Sequence, residues 1–267
     1  MMSSQMNIIE RPQGGDMKLA LKTLITLTIC LTSLEAYAVN KTICGEQDDR
    51  LPSNDPIVAR SIHRGDNGGC TITMIGKTCA ISAGHCVSTF EIAEFNTPAS
   101  QDGQIGHSTP EDTYEIDSTS VVSRNGGMGN DFAVLRLLPN SITGKLAGEA
   151  QGHYDVSFIA PKIGDIVRIT GFGLDRDEPE RNLAQQSHTG PIAAFATRGG
   201  GMNHQVDTMG GNSGSSIVLE STGEIIGIHT HGGCYTRGGS NGSTSLANHP
   251  EAQQAITACL QWEADNL

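Results

Sequence analysis

The sequence predicts an all-β protein in which short antiparallel strands close on themselves. Three observations point there. Short β-prone apolar runs recur along the chain, separated by turn residues. Glycine is abundant, at 33 residues, whereas charged residues make up only 17%. That balance suits many strands joined by turns better than long solvated helices. Only one segment, at the C-terminus, has clear helical spacing. A length of 267 residues fits one closed β domain.

The chain opens on a leader-like stretch, residues 1–38. A basic start, KLALK (18–22), precedes the apolar run LITLTICLTSL (24–34) and the small-x-small end Ala36-Tyr37-Ala38. Met17 is an alternative start. The apolar run is too short to span a bilayer, so the reading is an export signal and a secreted chain with no membrane segment in its mature form. Residues 39–55 are polar and read as a propeptide or an N-terminal arm tied by Cys44. From residue 56 to the end the pattern is that of one folded domain.

Within it, the expected strands are 71–75, 121–123, 132–137, 156–160, 165–172, 215–219 and 224–230, with a hairpin partner at 78–82. Ser221-Thr222-Gly223 forms the turn between the last two. In the C-terminal helix, Ala252, Ala255, Ile256, Cys259 and Leu260 fall on one face, and Pro250 and Glu251 suit its first turn. Once the leader is removed six cysteines remain: 44, 70, 79, 86, 234 and 259. An even count behind an export signal predicts disulfides.

The net charge is −12, with no basic cluster, which excludes nucleic acid as a partner. No dinucleotide fingerprint or fixed-period repeat is present.

Three segments carry chemistry. Ser213 lies in Thr208-Met209-Gly210-Gly211-Asn212-Ser213-Gly214-Ser215, where glycines permit a tight turn. Its spacing is not that of the α/β-hydrolase elbow, because Ser215 stands where that motif needs glycine. His85 lies in Ser82-Ala83-Gly84-His85-Cys86. Cys70 is sixteen residues before Cys86, and a hairpin of 71–75 and 78–82 would bring the two together and fix the turn bearing His85. Asp131 opens the apolar run Phe132-Ala133-Val134-Leu135, which can draw its carboxylate inside. An alcohol, an imidazole and a buried acid are the parts of a nucleophile–base–orienter chain. The amides of Gly211 and Ser213 are the candidate oxyanion donors.

The segments SAGHC, NDFAVLRL and GNSGSS resemble the signatures of chymotrypsin-like serine proteases. Cys70–Cys86 resembles that family's bridge beside the catalytic histidine, and ITGFG (169–173) its glycine-aromatic-glycine segment. The resemblance runs from Ile57 to the end. It implies two six-stranded antiparallel β-barrels with a C-terminal helix, and a site between the barrels made of His85, Asp131 and Ser213. Within the family the chain is similar to bacterial glutamyl endopeptidases, on DTMGGNSGS and GIHTHGG. Two departures stand out. Asn212 replaces the aspartate that receives a new N-terminus in trypsin, so Ile57-Val58 has no zymogen switch to serve. Met209 replaces a pocket cysteine, and the pairing of Cys44, Cys79, Cys234 and Cys259 stays open.

Two readings compete for the residue cut after. The likeness to glutamyl endopeptidases puts Thr208 and His229 in the pocket as donors to a substrate carboxylate. Against it, Asp207 stands where trypsin binds arginine or lysine, unless it is turned away toward backbone. The expectation is cleavage of polypeptides after Glu or Asp by a monomer, with no cofactor and no metal. The alternatives are cleavage after Arg or Lys, a protease-like protein that only binds, and another secreted hydrolase such as an esterase. His229 and His231 share a strand face and suggest a zinc pair, but no third ligand stands at a recognisable spacing. The remaining histidines, His204 among them, read as surface or hydrogen-bonded side chains. Trp262 reads as a packing residue.

Overall fold

The computed structural model describes residues 42–66, 68–102, 104–196 and 199–267. The leader predicted at 1–38 lies outside them. In chain order the elements are β1 (Leu51–Pro52), β2 (Val58–Ile62), β3 (Gly69–Met74), β4 (Cys79–Ser82), β5 (Ile92–Glu94), β6 (Thr113–Asn125) and β7 (Asp131–Leu137). A short helix α1 (Ala147–Gln151) follows, then β8 (Ile166–Gly171), β9 (Gln186–Phe195), β10 (Gly201–His204), β11 (Ser216–Leu219) and β12 (Glu224–His231). The chain ends with β13 (Cys234–Tyr235), β14 (Gly238–Gly239), β15 (Asn241–Ser245) and α2 (Pro250–Asn266).

Two closed antiparallel barrels result. The first runs β2-β3-β4-β7-β6-β5. The second runs β9-β10-β15-β12-β11-β8 and closes because β8 also pairs with β9, with β1 added along β9. Closure leaves few free edges, which is how short strands become stable. It also explains the continuous apolar run of β7. Leu135 and Leu137 fill the first barrel, while Phe132 and Val134 face the core under α2, so both faces are buried. Val167, Ile169, Ile192, Met202 and Ile217 fill the second barrel.

The run 156–160 does not form the predicted strand. Val156 makes a single bridge to Ile225, and Pro161 follows. Phe158 and Ile159 turn outward, so the run never finds a second sheet neighbour. The hairpin over Cys70 is as expected, with Thr73 opposite Ile81.

Three disulfides close the structure: Cys70–Cys86, Cys44–Cys234 and Cys79–Cys259. The second anchors the arm at 42–55 to the second barrel, where β1 extends β9. The third staples α2 to β4. Beside it, the buried Glu263 carboxylate accepts from the Lys77, Thr78 and Cys79 N–H groups and the Thr78 hydroxyl, at 2.5–2.9 Å. Trp262 packs under the Arg136 guanidinium, 3.9 Å from the ring centroid.

Glu263→Ala strands three turn amides in a buried place. Denaturant unfolding should show a loss of about 3 kcal/mol, against less than about 0.5 kcal/mol for the exposed Gln261→Ala.

Candidate active site

His85 and Asp131 meet because their strands are neighbours. β4 pairs with β7, Ser82 opposite Ala133, so the turn leaving β4 passes the first residue of β7. His85 sits on a 3-10 turn, Gly84–Thr89, pinned by Cys86 to Cys70. Asp131 is fully buried. Its Oδ1 accepts the Gly84 and His85 N–H groups at 2.6 and 3.1 Å, and its Oδ2 faces His85 Nδ1 at 2.6 Å. A carboxylate only accepts, so Nδ1 carries the proton and Nε2 keeps its lone pair.

The Ser213 loop comes from the other barrel. Gly211 has φ +104°, and a Cβ there would lie 2.2 Å from the Phe172 carbonyl oxygen, so glycine is required. The loop fixes its peptide planes from the carbonyl side. Leu174 N–H holds the Gly210 carbonyl at 2.8 Å, and Ser215 N–H holds the Asn212 carbonyl at 3.0 Å. In a trans peptide the next N–H points the opposite way, which aims the Gly211 and Ser213 amides away from those contacts. Among the described residues neither amide has a protein acceptor. They are the two amides that the sequence puts forward as candidate oxyanion donors.

Thr71, in β3, joins the two barrels at this point. Its N–H donates to the Ser213 carbonyl at 2.8 Å and its hydroxyl to the Gly211 carbonyl at 2.9 Å. The Phe172 N–H donates to the same hydroxyl, and Ser82 donates to the Thr71 carbonyl. Cys86 Sγ lies 3.7 Å from the Ser213 carbonyl. These contacts hold the Ser213 backbone beside the residue that follows His85. Among the described residues no hydrogen bond joins the Ser213 hydroxyl to the His85 ring, a bond that tightens in such sites when substrate binds.

The residues that the sequence puts forward for a specificity pocket separate into two groups. Asp207 is turned away from the site. Its Oδ1 accepts Cys44 N–H at 2.7 Å and its Oδ2 accepts Asp49 N–H at 2.9 Å. Thr208 and His229 remain. Among the described residues the buried Thr208 hydroxyl has no hydrogen-bond partner. His229 lies beside the nucleophile loop: its carbonyl accepts Gly214 N–H and its N–H donates to the Ser215 carbonyl. Behind it stands His204, which sequence reasoning passed over because a single histidine in polar sequence has no partner in view. Val206 N–H donates to His204 Nδ1 at 3.2 Å, and His204 Nε2 lies 3.2 Å from His229 Nδ1. In neutral rings this order puts the His204 proton on Nε2 and leaves His229 an N–H at its own Nε2.

Residues 43–249 match the family model described as Trypsin. The chain belongs to the trypsin family. The glutamyl endopeptidase of Bacillus licheniformis is 26% identical over 209 residues, 73% of this chain and 62% of the relative. A protein of Bacillus subtilis (strain 168) named "Extracellular metalloprotease" is 28% identical over 171 residues, 62% of this chain and 51% of the relative. The chain thus spans about half to three-fifths of the length of these curated relatives. A solved structure titled "Structure of Glu endopeptidase in complex with MPD" superposes with a TM-score of 0.62 at 18% identity, covering 82% of this chain and 100% of that one. That likeness shows the fold, the two-barrel trypsin-family architecture.

Among the described residues, two groups bring metal-type donors together, Cys70–His85–Cys86 and Asp49–His188–Asp207. In the first the sulfurs are bonded to each other. In the second both Asp207 oxygens accept backbone N–H groups, and His188 Nδ1 accepts the Asp207 N–H at 2.8 Å. His229 and His231 also turn their Nδ1 atoms to different partners, His204 and Thr230.

Burial sets the charge of the histidine pair. It pushes His204 down to about 3, helped by His188, and holds His229 well below its ordinary value, helped by His204. Both rings are therefore neutral across the physiological range. The unfolded rings bind protons below about pH 6.5 and the folded ones resist, so stability is complete above that pH and lost as pH falls. Unfolding at pH 7, 5.5 and 4.5 should show a loss, and His204 should account for roughly 2–3 kcal/mol of it; His204→Gln should flatten the profile. Thr71→Val should keep the fold and lower kcat about 100-fold, since it frees the Gly211 peptide plane.

Proposed function

We propose that this chain is a secreted serine endopeptidase that cuts polypeptides after Glu or Asp. Ser213 is the nucleophile, His85 Nε2 the base, and Asp131 the group that holds the base in one tautomer. The serine proton passes to His85 as the oxygen attacks the scissile carbonyl. Asp131 stabilises the imidazolium that forms. The Gly211 and Ser213 amides receive the oxyanion, and their planes are already set, so little reorganisation accompanies the step. His85 then returns the proton to the leaving amine, and water repeats the sequence on the acyl-enzyme. Three disulfides support an oxidising, extracytoplasmic location.

The observation that carries the specificity is the engagement of Asp207. A carboxylate already accepting two backbone N–H groups on the arm does not serve as counter-ion to arginine or lysine. What remains is donor-rich: an unpartnered Thr208 hydroxyl and the Nε2–H of a neutral His229. Both can donate to a carboxylate, and neither supplies the negative charge that would hold a cation. The printed name of the Bacillus licheniformis relative agrees.

A peptide library digested by the mature protein should show Glu or Asp before each cut; enrichment of Lys or Arg would reverse the assignment. A fluorophosphonate should add to Ser213, and Ser213→Ala should lower kcat by about 10⁴-fold or more without changing the melting temperature by more than a few degrees.

A further inference from the structure

Arg50 is buried to 2% exposure, yet it belongs to the arm and to neither barrel. Its guanidinium reaches Asp48 through Nε and Nη2, at 2.9 and 2.6 Å, and lies 3.8 Å from Asp175. Nη2 also donates to the Leu174 carbonyl at 3.0 Å. Leu174 is the residue whose N–H holds the Gly210 carbonyl, and that peptide unit carries the Gly211 amide. The remaining nitrogen, Nη1, is buried and has no hydrogen-bond partner among the described residues. It faces Gly173, where a Cβ would lie 2.3 Å from Nη1 and 2.1 Å from Asn212 Oδ1. The guanidinium and the Asn212 side chain thus flank the same glycine, directly behind the nucleophile. Asn212 Oδ1 in turn accepts the Met209 N–H at 3.0 Å.

A buried guanidinium with an uncommitted N–H is costly and strongly attracts carbonyl oxygens around it. Carbonyls drawn toward it fix the opposite faces of their peptide units. Here that draws the Leu174 segment, and through it the 210–212 turn, into the orientation that bares the amide donors. The arm is fastened before this contact, where Cys44 is bonded to Cys234 and Asp207 accepts the Cys44 and Asp49 N–H groups, and after it, where β1 pairs with β9.

We propose that Arg50 is the positioning residue of the oxyanion loop, delivered by an arm that stays attached in the active enzyme. The arm then performs internally what a free new N-terminus would otherwise have to do: it places a cation beneath the turn next to the nucleophile. This rests on the reading of Ser213 as the acyl-transfer residue.

The test compares wild type, R50K and R50M on a peptide that the wild type cuts, together with a peptide aldehyde that mimics the oxyanion. R50M should lower kcat about 100-fold with KM changed less than about threefold, and weaken aldehyde binding in proportion to kcat/KM. R50K should recover part of the loss. A folded R50M with wild-type kcat overturns the inference, as does a change confined to KM. A second measurement needs no variant. Wild-type enzyme labelled by a fluorophosphonate, weighed intact before reduction, should retain Arg50; labelled active enzyme lacking it overturns the inference. Wild type that neither cuts peptide nor takes the label overturns the Ser213 reading, and this inference with it.

Discussion

The seam between the two barrels is fixed by buried hydrogen bonds around Thr71, and the rest of the site depends on that seam. The proposed base and its orienting acid belong to the first barrel, the proposed nucleophile and oxyanion donors to the second. An apolar contact between barrels would tolerate sliding, because dispersion is non-directional. A hydroxyl that donates to the Gly211 carbonyl while accepting from Phe172 N–H tolerates no such freedom. Its own N–H takes the Ser213 carbonyl at the same time. One side chain and one amide thus set the distance between two halves that are far apart in sequence. Buried polar groups of this kind add little net stability but specify one arrangement, since every alternative leaves donors unpaired.

The pocket follows the same logic of directional, uncharged contacts. A protonated histidine would hold a substrate carboxylate more strongly, but burying that charge costs more than the protein can offset here. Burial keeps His204 and His229 neutral, and the Val206 amide then decides where their protons sit. A backbone N–H two residues beyond β10 orients the ring at the end of that strand, which orients a second ring on β12 beside the Ser213 loop. The Nε2–H of His229 is therefore set by hydrogen-bond order rather than by charge.

This division explains what was legible in the sequence. The catalytic segments could be read because each is a local pattern: a glycine turn around Ser213, a cysteine-flanked turn around His85, an acid heading an apolar strand at Asp131. The barrel strands could be read where alternation or continuous burial marks them, as in β7 and β12. The run at 156–160 misled because composition reports the propensity of a segment and not whether a neighbour exists to pair with it. Thr71 and His204 were silent for a related reason. A threonine in a β-prone run and a lone histidine have no local signal; the partners of Thr71 come from loops across the seam, and the partner of His204 comes from another strand of its own barrel. Asp207 was ambiguous in sequence because its position fits a pocket and its role depends on what approaches it from the arm.

Asp207 and Arg50 together show how a charge at a specificity position can be turned into architecture. A buried carboxylate beside a substrate pocket must be neutralised, paired or hydrogen-bonded. Burial raises the proton affinity of Asp207, and the Asp49 and Cys44 N–H groups oppose that rise. Those donors are available only because the arm passes there, held by the bond from Cys44 to Cys234 in the small β13–β14 ribbon. Six residues beyond Cys44 the same segment inserts Arg50 behind the nucleophile loop. The arm therefore supplies both the backbone donors that hold the Asp207 carboxylate and a buried cation against Leu174 and Gly173, which ties the segment before the first barrel to the surroundings of the Ser213 loop.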